Sequence, residues 1–208
     1  MDHQYTTRTL DLIIATGNPG KIRELSQLLA GLPVTVRGLS DFENITEVEE
    51  TGSTFYENAI LKARGYALQT GAWTLADDSG LEVDALGKAP GVYSARFGGE
   101  NSSFDAKMNE ILAQLEQTGD NARRARFVCS MALANEIGEI MHVSEGKCEG
   151  RIGPEPRGSN GFGYDPIFIP DGFDGTFGEL SDDIKQQISH RARAVSGIIR
   201  YLLDFKAV

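Results

Sequence analysis

The chain has 208 residues, of which 40% are hydrophobic and 24% are charged, and its formal net charge is −10. This length supports a substantial core, and this composition excludes an intrinsically disordered protein. The acidic balance argues against non-specific binding of duplex nucleic acid, which needs an electropositive face, and taken alone it also argues against a polyanionic substrate.

Residues 1–8 are polar and are predicted to form a loose tail, so that residues 9–208 make up a single domain. The start of the sequence lacks the apolar segment of a signal peptide, and no apolar run approaches the roughly 20 residues of a membrane span. The two cysteines, Cys129 and Cys148, have neither the number nor the spacing of a disulfide framework or a zinc site. We therefore expect a reduced, cytoplasmic protein without membrane contact.

The first predicted unit is a strand, a glycine loop and a helix. Residues 10–15 form a short apolar run, and apolar residues recur at helical spacing over 22–29. The loop between them consists of Thr16, Gly17, Asn18, Pro19, Gly20 and Lys21. Glycine backbone, a helix amino terminus and a lysine can together hold an anion, although an ordinary turn with a surface lysine is the alternative. The spacing is not that of a Walker A loop, so any magnesium ligands must come from elsewhere.

A pair of aspartates follows the strand candidate over 73–76. Adjacent strand residues point to opposite sides, so one of Asp77 and Asp78 can face a site while the other anchors the structure. The adjacent Glu49 and Glu50 could supply a second carboxylate, and magnesium is often held by one or two carboxylates together with substrate phosphates. A solvated turn is the alternative interpretation.

The other predicted elements alternate along the chain, which indicates a mixed α/β domain. They are helices over 54–69, over 103–117 and from Ser189 onward, strands over 34–36, 126–134 and 139–144, and glycine-rich loops over 86–102 and 146–178. Cys129 falls on the apolar face of its strand and is expected in the core.

Two later segments could contact a nucleotide. Phe162 and Tyr164 stand between glycines, where aromatic rings can offer flat faces to a nucleobase, and Asp165 adds an acceptor; a glycine-rich bend anchored by core aromatics is the alternative. His190 and Arg191 open the last helix, where cations are unfavourable unless an anion or a base carbonyl is bound. A solvated charge cluster remains the alternative there.

In this order the segments resemble the inosine triphosphate pyrophosphatase family. The resemblance extends from about Leu12 to Leu203 and rests on six collinear blocks: TGNPGK (16–21), EETGSTFYENAILKA (49–63), DDSGL (77–81), PGVYSAR (90–96), GFGYDPIF (161–168) and ISHRARA (188–194). It implies an α/β fold with an elongated mixed sheet, flanking helices and two lobes around a central nucleotide-binding cleft, in a homodimer. It also implies magnesium-dependent hydrolysis of ITP, dITP and XTP to the monophosphate and pyrophosphate, an activity that keeps deaminated purines out of DNA and RNA.

The resemblance also implies a role for each matching residue. Asp78 corresponds to the metal-binding catalytic base, Glu50 to a metal-associated carboxylate and Lys62 to a lysine that positions the attacking water. The implied substrate contacts are Thr16, Gly17, Asn18, Pro19, Gly20, Lys21, Ser79, Phe162, Gly163, Tyr164, Asp165, Lys185, His190 and Arg191.

The residue chemistry agrees with this assignment. Lys21, Lys62, Lys185 and Arg191, with Mg²⁺, are expected to offset a triphosphate of about four negative charges. The sequence shows no Ser or Cys nucleophile beside a base, so attack by water is favoured. The rival interpretations are a nucleotide sensor that does not hydrolyse its ligand and a single-stranded nucleic-acid binder, which the acidic balance disfavours.

Overall fold

The structure is a computed structural model, and it describes residues 9–99 and 101–206. The polar tail predicted over 1–8 lies outside these residues. The described part of the chain forms six strands and five helices. The strands are β1 (Leu10–Ile14), β2 (Val34–Gly38), β3 (Trp73–Val83), β4 (Arg124–Ala134), β5 (Ile140–Ile152) and β6 (Phe168–Pro170). The helices are α1 (Pro19–Leu28), α2 (Phe55–Thr70), α3 (Phe104–Thr118), α4 (Asp182–Ile188) and α5 (His190–Lys206).

All six strands belong to one mixed sheet with the order β2-β1-β3-β4-β5-β6. β1 pairs in parallel with both β2 and β3, whereas β3 to β6 pair antiparallel. This arrangement confirms the predicted α/β class with a mixed sheet. Within the described residues, no helix is long and apolar enough to cross a membrane.

Local signals in the sequence explain where the helices begin and end. Thr54 caps α2 through the predicted capping box, and Gly71 ends that helix in the left-handed conformation that glycine adopts without strain. Asn18, Ser103 and Ser181 cap α1, α3 and α4 by accepting backbone N–H groups.

The core has two large apolar clusters, and β3 runs through both. Leu75 packs with residues of β1, α1 and α5, whereas Leu81 and Val83 pack with α3 and with the aromatic residues near β6. Cys129 is fully buried in the first of these clusters, as predicted, and both cysteines are free thiols. Asp77 and Asp78 lie on β3 between the two clusters, which places them at the junction of two lobes.

Two strands extend well beyond their predicted ends, and β6 and α4 lie where no strand or helix was predicted. β3 does not end at Asp77 but continues to Val83, and β5 extends to Ile152 through a stretch predicted as loop. Gly146 belongs to β5, and it is glycine because a Cβ there would collide with backbone atoms of His190 and Ala194 on α5. The short helix α4 precedes α5 and was not predicted, since its seven residues give a weak periodic signal.

Candidate active site

A cavity of about 280 Å³ opens between the two lobes, at the carboxyl end of β1. Fifteen of the predicted site residues line it: Thr16, Gly17, Asn18, Lys21, Glu50, Lys62, Asp78, Ser79, Phe162, Gly163, Tyr164, Asp165, Lys185, His190 and Arg191. Pro19 and Gly20 do not line it, because they form the first turn of α1. Segments far apart in the sequence therefore meet at one site.

Asp78 lies on the side of β3 that faces α2. Lys62 Nζ on that helix is 3.5 Å from Asp78 Oδ1 and 2.5 Å from Glu50 Oε1, and Asn58 donates a hydrogen bond of 3.0 Å to Asp78 Oδ2. Burial raises the pKa of Asp78, and neighbouring Glu50 raises it further, against the opposing effect of Lys62. Burial alone would lower the pKa of Lys62, but Asp78, Asp77 and Glu50 outweigh burial and raise it. The cluster thus combines Asp78, a carboxylate whose pKa is raised, with Lys62, a lysine whose charged form is favoured by its neighbours.

Asp77 faces the opposite side of β3, where its neighbours anchor it in the fold. Its Oδ2 lies 3.0 Å from Lys21 Nζ and 3.3 Å from Arg191 Nη2, and Ser79 donates a 3.0 Å hydrogen bond to it. Burial would raise the pKa of Asp77, but Lys21 and Arg191 hold it well below its usual value. The division between a site aspartate and an anchoring aspartate therefore agrees with the sequence prediction.

The ion pairs continue into a buried network around Glu24, a residue that the sequence analysis missed. Glu24 on α1 contacts Arg191 and lies 2.6 Å from Lys185 Nζ, which in turn lies 2.5 Å from Asp165 Oδ2. Burial would raise the pKa of Glu24, yet Arg191 and Lys185 lower it. Glu24 lies one helical turn beyond Lys21, and this spacing is the feature of the sequence that could have indicated that Glu24 lies near the site.

The glycine loop is organised differently from the predicted anion cradle. Asn18 Oδ1 accepts the N–H groups of Gly20 and Lys21 at 2.9 and 3.2 Å, so the helix amino terminus is already capped. A Cβ on Gly20 would collide with the ring of Phe162, whereas a Cβ on Gly17 would meet nothing within 4 Å. Gly20 therefore permits close packing of α1 against the ring of Phe162. Gly17 leaves its backbone uncovered at the wall of the cavity.

The two predicted stacking residues have different surroundings. Phe162 is partly exposed, and its ring centroid lies 4.8 Å from Lys185 Nζ and 5.6 Å from Arg191 Cζ. Tyr164 is only 3% exposed, donates its hydroxyl to the carbonyl oxygen of Ser94 at 2.8 Å and packs edge-on against Phe104. The prediction of an open stacking face is therefore wrong for Tyr164, because its ring and hydroxyl are both used in the core.

His190 and Arg191 follow Ser189, whose hydroxyl caps α5 by accepting the N–H of Ala192. Burial lowers the pKa of His190 well below its usual value, helped by Arg191 and Lys185, so the ring is neutral and stacks on Phe127 at 4.7 Å. The expectation of two cations in this turn is wrong for His190, and the charge of Arg191 meets the carboxylates of Glu24 and Asp77. Two buried nitrogens, His190 Nδ1 and Arg191 Nε, lack hydrogen-bond partners among the described residues.

The carboxylates fit a magnesium ion that a substrate helps to bind. Glu50 and Asp78 both contact Lys62 and both line the cavity. The described residues include no group of three or more His, Cys, Asp or Glu side chains placed to hold a metal by themselves. Mg²⁺ commonly takes one or two carboxylates and completes its shell with phosphate oxygens and water, which matches this donor set.

The fold and the cavity together define an α/β protein with a charged cleft between two lobes, built around adjacent aspartates on a central strand. The sequence pattern of the Ham1 family matches residues 12–201, and this chain belongs to that family. The resemblance found in the sequence is thereby confirmed.

Relatives and solved structures agree with this membership. The chain is 48% identical over 185 residues to a dITP/XTP pyrophosphatase of Bacillus anthracis, covering 88% of this chain and 92% of the relative. It is 48% identical over 196 residues to a protein of the same name from an Exiguobacterium species, covering 94% and 98%. The solved structure of a HAM1 protein from Coxiella burnetii superposes with a TM-score of 0.86 at 42% identity, covering 94% of this chain and 99% of that one.

Proposed function

We propose that this protein is a nucleoside triphosphate pyrophosphatase that hydrolyses ITP, dITP and XTP to the monophosphate and pyrophosphate. The observation that carries the proposal is the cluster of Asp78, Lys62 and Glu50 in the same cavity as the glycine loop. The relatives named dITP/XTP pyrophosphatase support the substrate class. A sensor that only binds its ligand would not require this cluster.

The residues suggest how the reaction proceeds. Asp78 accepts the proton of the attacking water, and Lys62 holds the carboxylates of Asp78 and Glu50 in place and orients the water. Glu50 and Asp78 would hold Mg²⁺, which supplies charge neutralisation at the phosphates and lowers the pKa of water. Gly17 and Lys21 contact the triphosphate from the other wall.

Base selectivity is proposed to arise at the wall opposite the catalytic cluster. Phe162 offers a ring face, and His190 and Arg191 line the same cavity, where their side chains would donate to a carbonyl at the purine 6-position. ATP carries an amine there, which leaves buried donors unpaired and can reduce turnover by about 10⁴-fold.

The decisive experiment is a panel of ITP, XTP, dITP, ATP and GTP with Mg²⁺, assayed separately for pyrophosphate and orthophosphate. We expect stoichiometric pyrophosphate from the deaminated nucleotides and loss of activity with a chelator. We also expect little turnover of ATP and of GTP, although the 6-position contact accounts for ATP alone, because GTP also carries a 6-carbonyl. Release of orthophosphate would overturn the assignment of cleavage to the α–β anhydride. Tight binding of ITP without any product would favour the sensor.

We further propose that the enzyme acts in the cytoplasm as a homodimer that cleanses the nucleotide pool. The exposed rings of Tyr56 and Tyr93, with Pro90, line a groove, and aromatic residues are common at subunit contacts. Sedimentation of the purified protein tests this assembly, because a monomer at micromolar concentration would contradict it.

A further inference from the structure

The charges of the cavity are balanced before any substrate binds. In the described residues five cationic side chains line it, and four of them pair with carboxylates. The pairs are Lys21 with Asp77, Lys62 with Glu50 and Asp78, Lys185 with Glu24 and Asp165, and Arg191 with Glu24 and Asp77. These four cations therefore contribute little net charge toward a triphosphate, contrary to the expectation from the sequence.

Arg96 is the fifth cation, and its situation is different. Its side chain is exposed at the edge of the cavity, and no carboxylate of residues 9–99 or 101–206 lies within ion-pair distance. Its guanidinium carbon lies 5.1 Å from the ring centroid of Tyr93. An arginine in this state has its full charge and its planar set of donors available to a ligand.

The backbone that carries Arg96 is anchored on three sides. Ser94 Oγ accepts the N–H of Leu81 at 2.9 Å, and the Ser94 carbonyl oxygen accepts the hydroxyl of Tyr164. The buried Lys107 donates from Nζ to the carbonyl oxygen of Ala95 at 2.5 Å.

Close packing brings this segment onto β3 beside the catalytic aspartate. A Cβ on Gly80 would collide with Ser94 Oγ and with the carbonyl oxygen of Gly91, so only glycine permits this approach two residues after Asp78. The hydrogen bonds from the core residue Tyr164 and the buried Lys107 thus fix the backbone position from which the exposed side chain of Arg96 extends.

We propose that Arg96 binds the triphosphate of the substrate and supplies the uncompensated positive charge that the paired cations do not. This inference rests on the proposed function for the identity of the ligand. Arginine suits the role, because its forked donors match phosphate oxygens in pairs.

The test separates the two halves of the substrate. Binding of inorganic tripolyphosphate and of inosine is measured by calorimetry for the wild type, Arg96→Gln, Arg96→Lys and Arg200→Gln. Arg200 is an exposed arginine of α5 outside the cavity lining, so its removal changes the net charge equally. We expect Arg96→Gln to weaken tripolyphosphate binding by about 10- to 100-fold, from loss of charge-assisted hydrogen bonds, and to leave inosine binding unchanged. Arg96→Lys should recover part of the lost affinity for tripolyphosphate. Arg200→Gln should bind tripolyphosphate as tightly as the wild type does.

Turnover provides a second measurement. For Arg96→Gln the KM for ITP should rise by a factor similar to the loss in tripolyphosphate affinity, with a smaller change in kcat. The proposal would be overturned if Arg96→Gln bound tripolyphosphate as tightly as the wild type, or if it lost affinity for tripolyphosphate and inosine equally. It would also be overturned if Arg200→Gln weakened tripolyphosphate binding as much as Arg96→Gln does. If the wild type binds tripolyphosphate through Arg96 but releases no pyrophosphate from any nucleotide, the proposed function fails and the anion site remains.

Discussion

Adjacent aspartates on β3 have opposite roles because successive strand residues face opposite sides. Asp78 meets Lys62 and Asn58 on the side of α2, and Asp77 meets Lys21 and Arg191 on the side of α1 and α5. We therefore expect Asp78 to serve activity and Asp77 to serve stability.

The variants Asp78→Asn and Asp77→Asn should separate these roles. For Asp78→Asn we expect kcat to fall by about 10²- to 10⁴-fold, the usual loss on removing a general base, with the free energy of unfolding unchanged or slightly higher. The raised pKa of Asp78 shows that its charge is costly in the fold, so a neutral amide is tolerated.

Asp77→Asn should instead lower the free energy of unfolding by about 3 kcal/mol, because Lys21 loses its carboxylate while Arg191 keeps Glu24. Denaturant titration and steady-state kinetics on both variants measure the two effects. Full activity in Asp78→Asn, or wild-type stability in Asp77→Asn, would contradict the division.

The sequence identified most individual site residues but not their pairing. The family resemblance assigned Asp78, Lys62 and Lys21 to one candidate site, and the structure places all three on one cavity. The sequence could not show that Glu24 and Asp77 pair with Lys21, Lys185 and Arg191, because those pairs join segments more than 50 residues apart.

Among the elements, β5 and α5 approach each other unusually closely at Gly146. A methyl group there would collide with backbone atoms of α5, which cannot rotate away as a side chain could. We expect Gly146→Ala to lower the free energy of unfolding by about 1–3 kcal/mol, the usual cost of overpacking. Lys147→Ala, an exposed change at the next position of β5, should stay within about 0.5 kcal/mol of wild type. Equal stability of Gly146→Ala and wild type in denaturant titrations would show that α5 can move.

The same contact explains why the sequence missed the end of β5. Gly146 and Gly150 lower the strand propensity of a segment whose glycines are required by neighbours in space, namely α5 and β6. The bounds of α2 and α3 were predicted within one or two residues, since capping residues such as Thr54 and Gly71 act locally.

For the whole molecule, His190 links stability to pH. Its folded-state pKa lies well below 6.5, so below about pH 6.5 the unfolded chain binds a proton that the folded chain does not. Stability contributed by this group is complete at higher pH and is lost as the pH falls, by up to about 1.4 kcal/mol for each pH unit.

Replacement by a ring that does not titrate should remove this dependence. We expect the free energy of unfolding of His190→Phe to fall less steeply than that of wild type between pH 6.5 and 5, as measured by denaturant titration across that interval. Above pH 7.5 the two slopes should agree. Parallel curves throughout the acidic interval would mean that His190 is protonated in the folded state.

The buried network also constrains the order in which the molecule can be assembled. Glu24 comes from the first helix and Arg191 from the last, 167 positions later. During synthesis, Glu24 and Asp77 therefore leave the ribosome long before Arg191, which pairs with both. The part of the cavity wall formed by His190 and Arg191 cannot exist in a nascent chain until α5 has emerged and docked. A chain interrupted before that helix would bury acidic groups without their arginine, so incomplete products should fail to fold rather than compete for nucleotides.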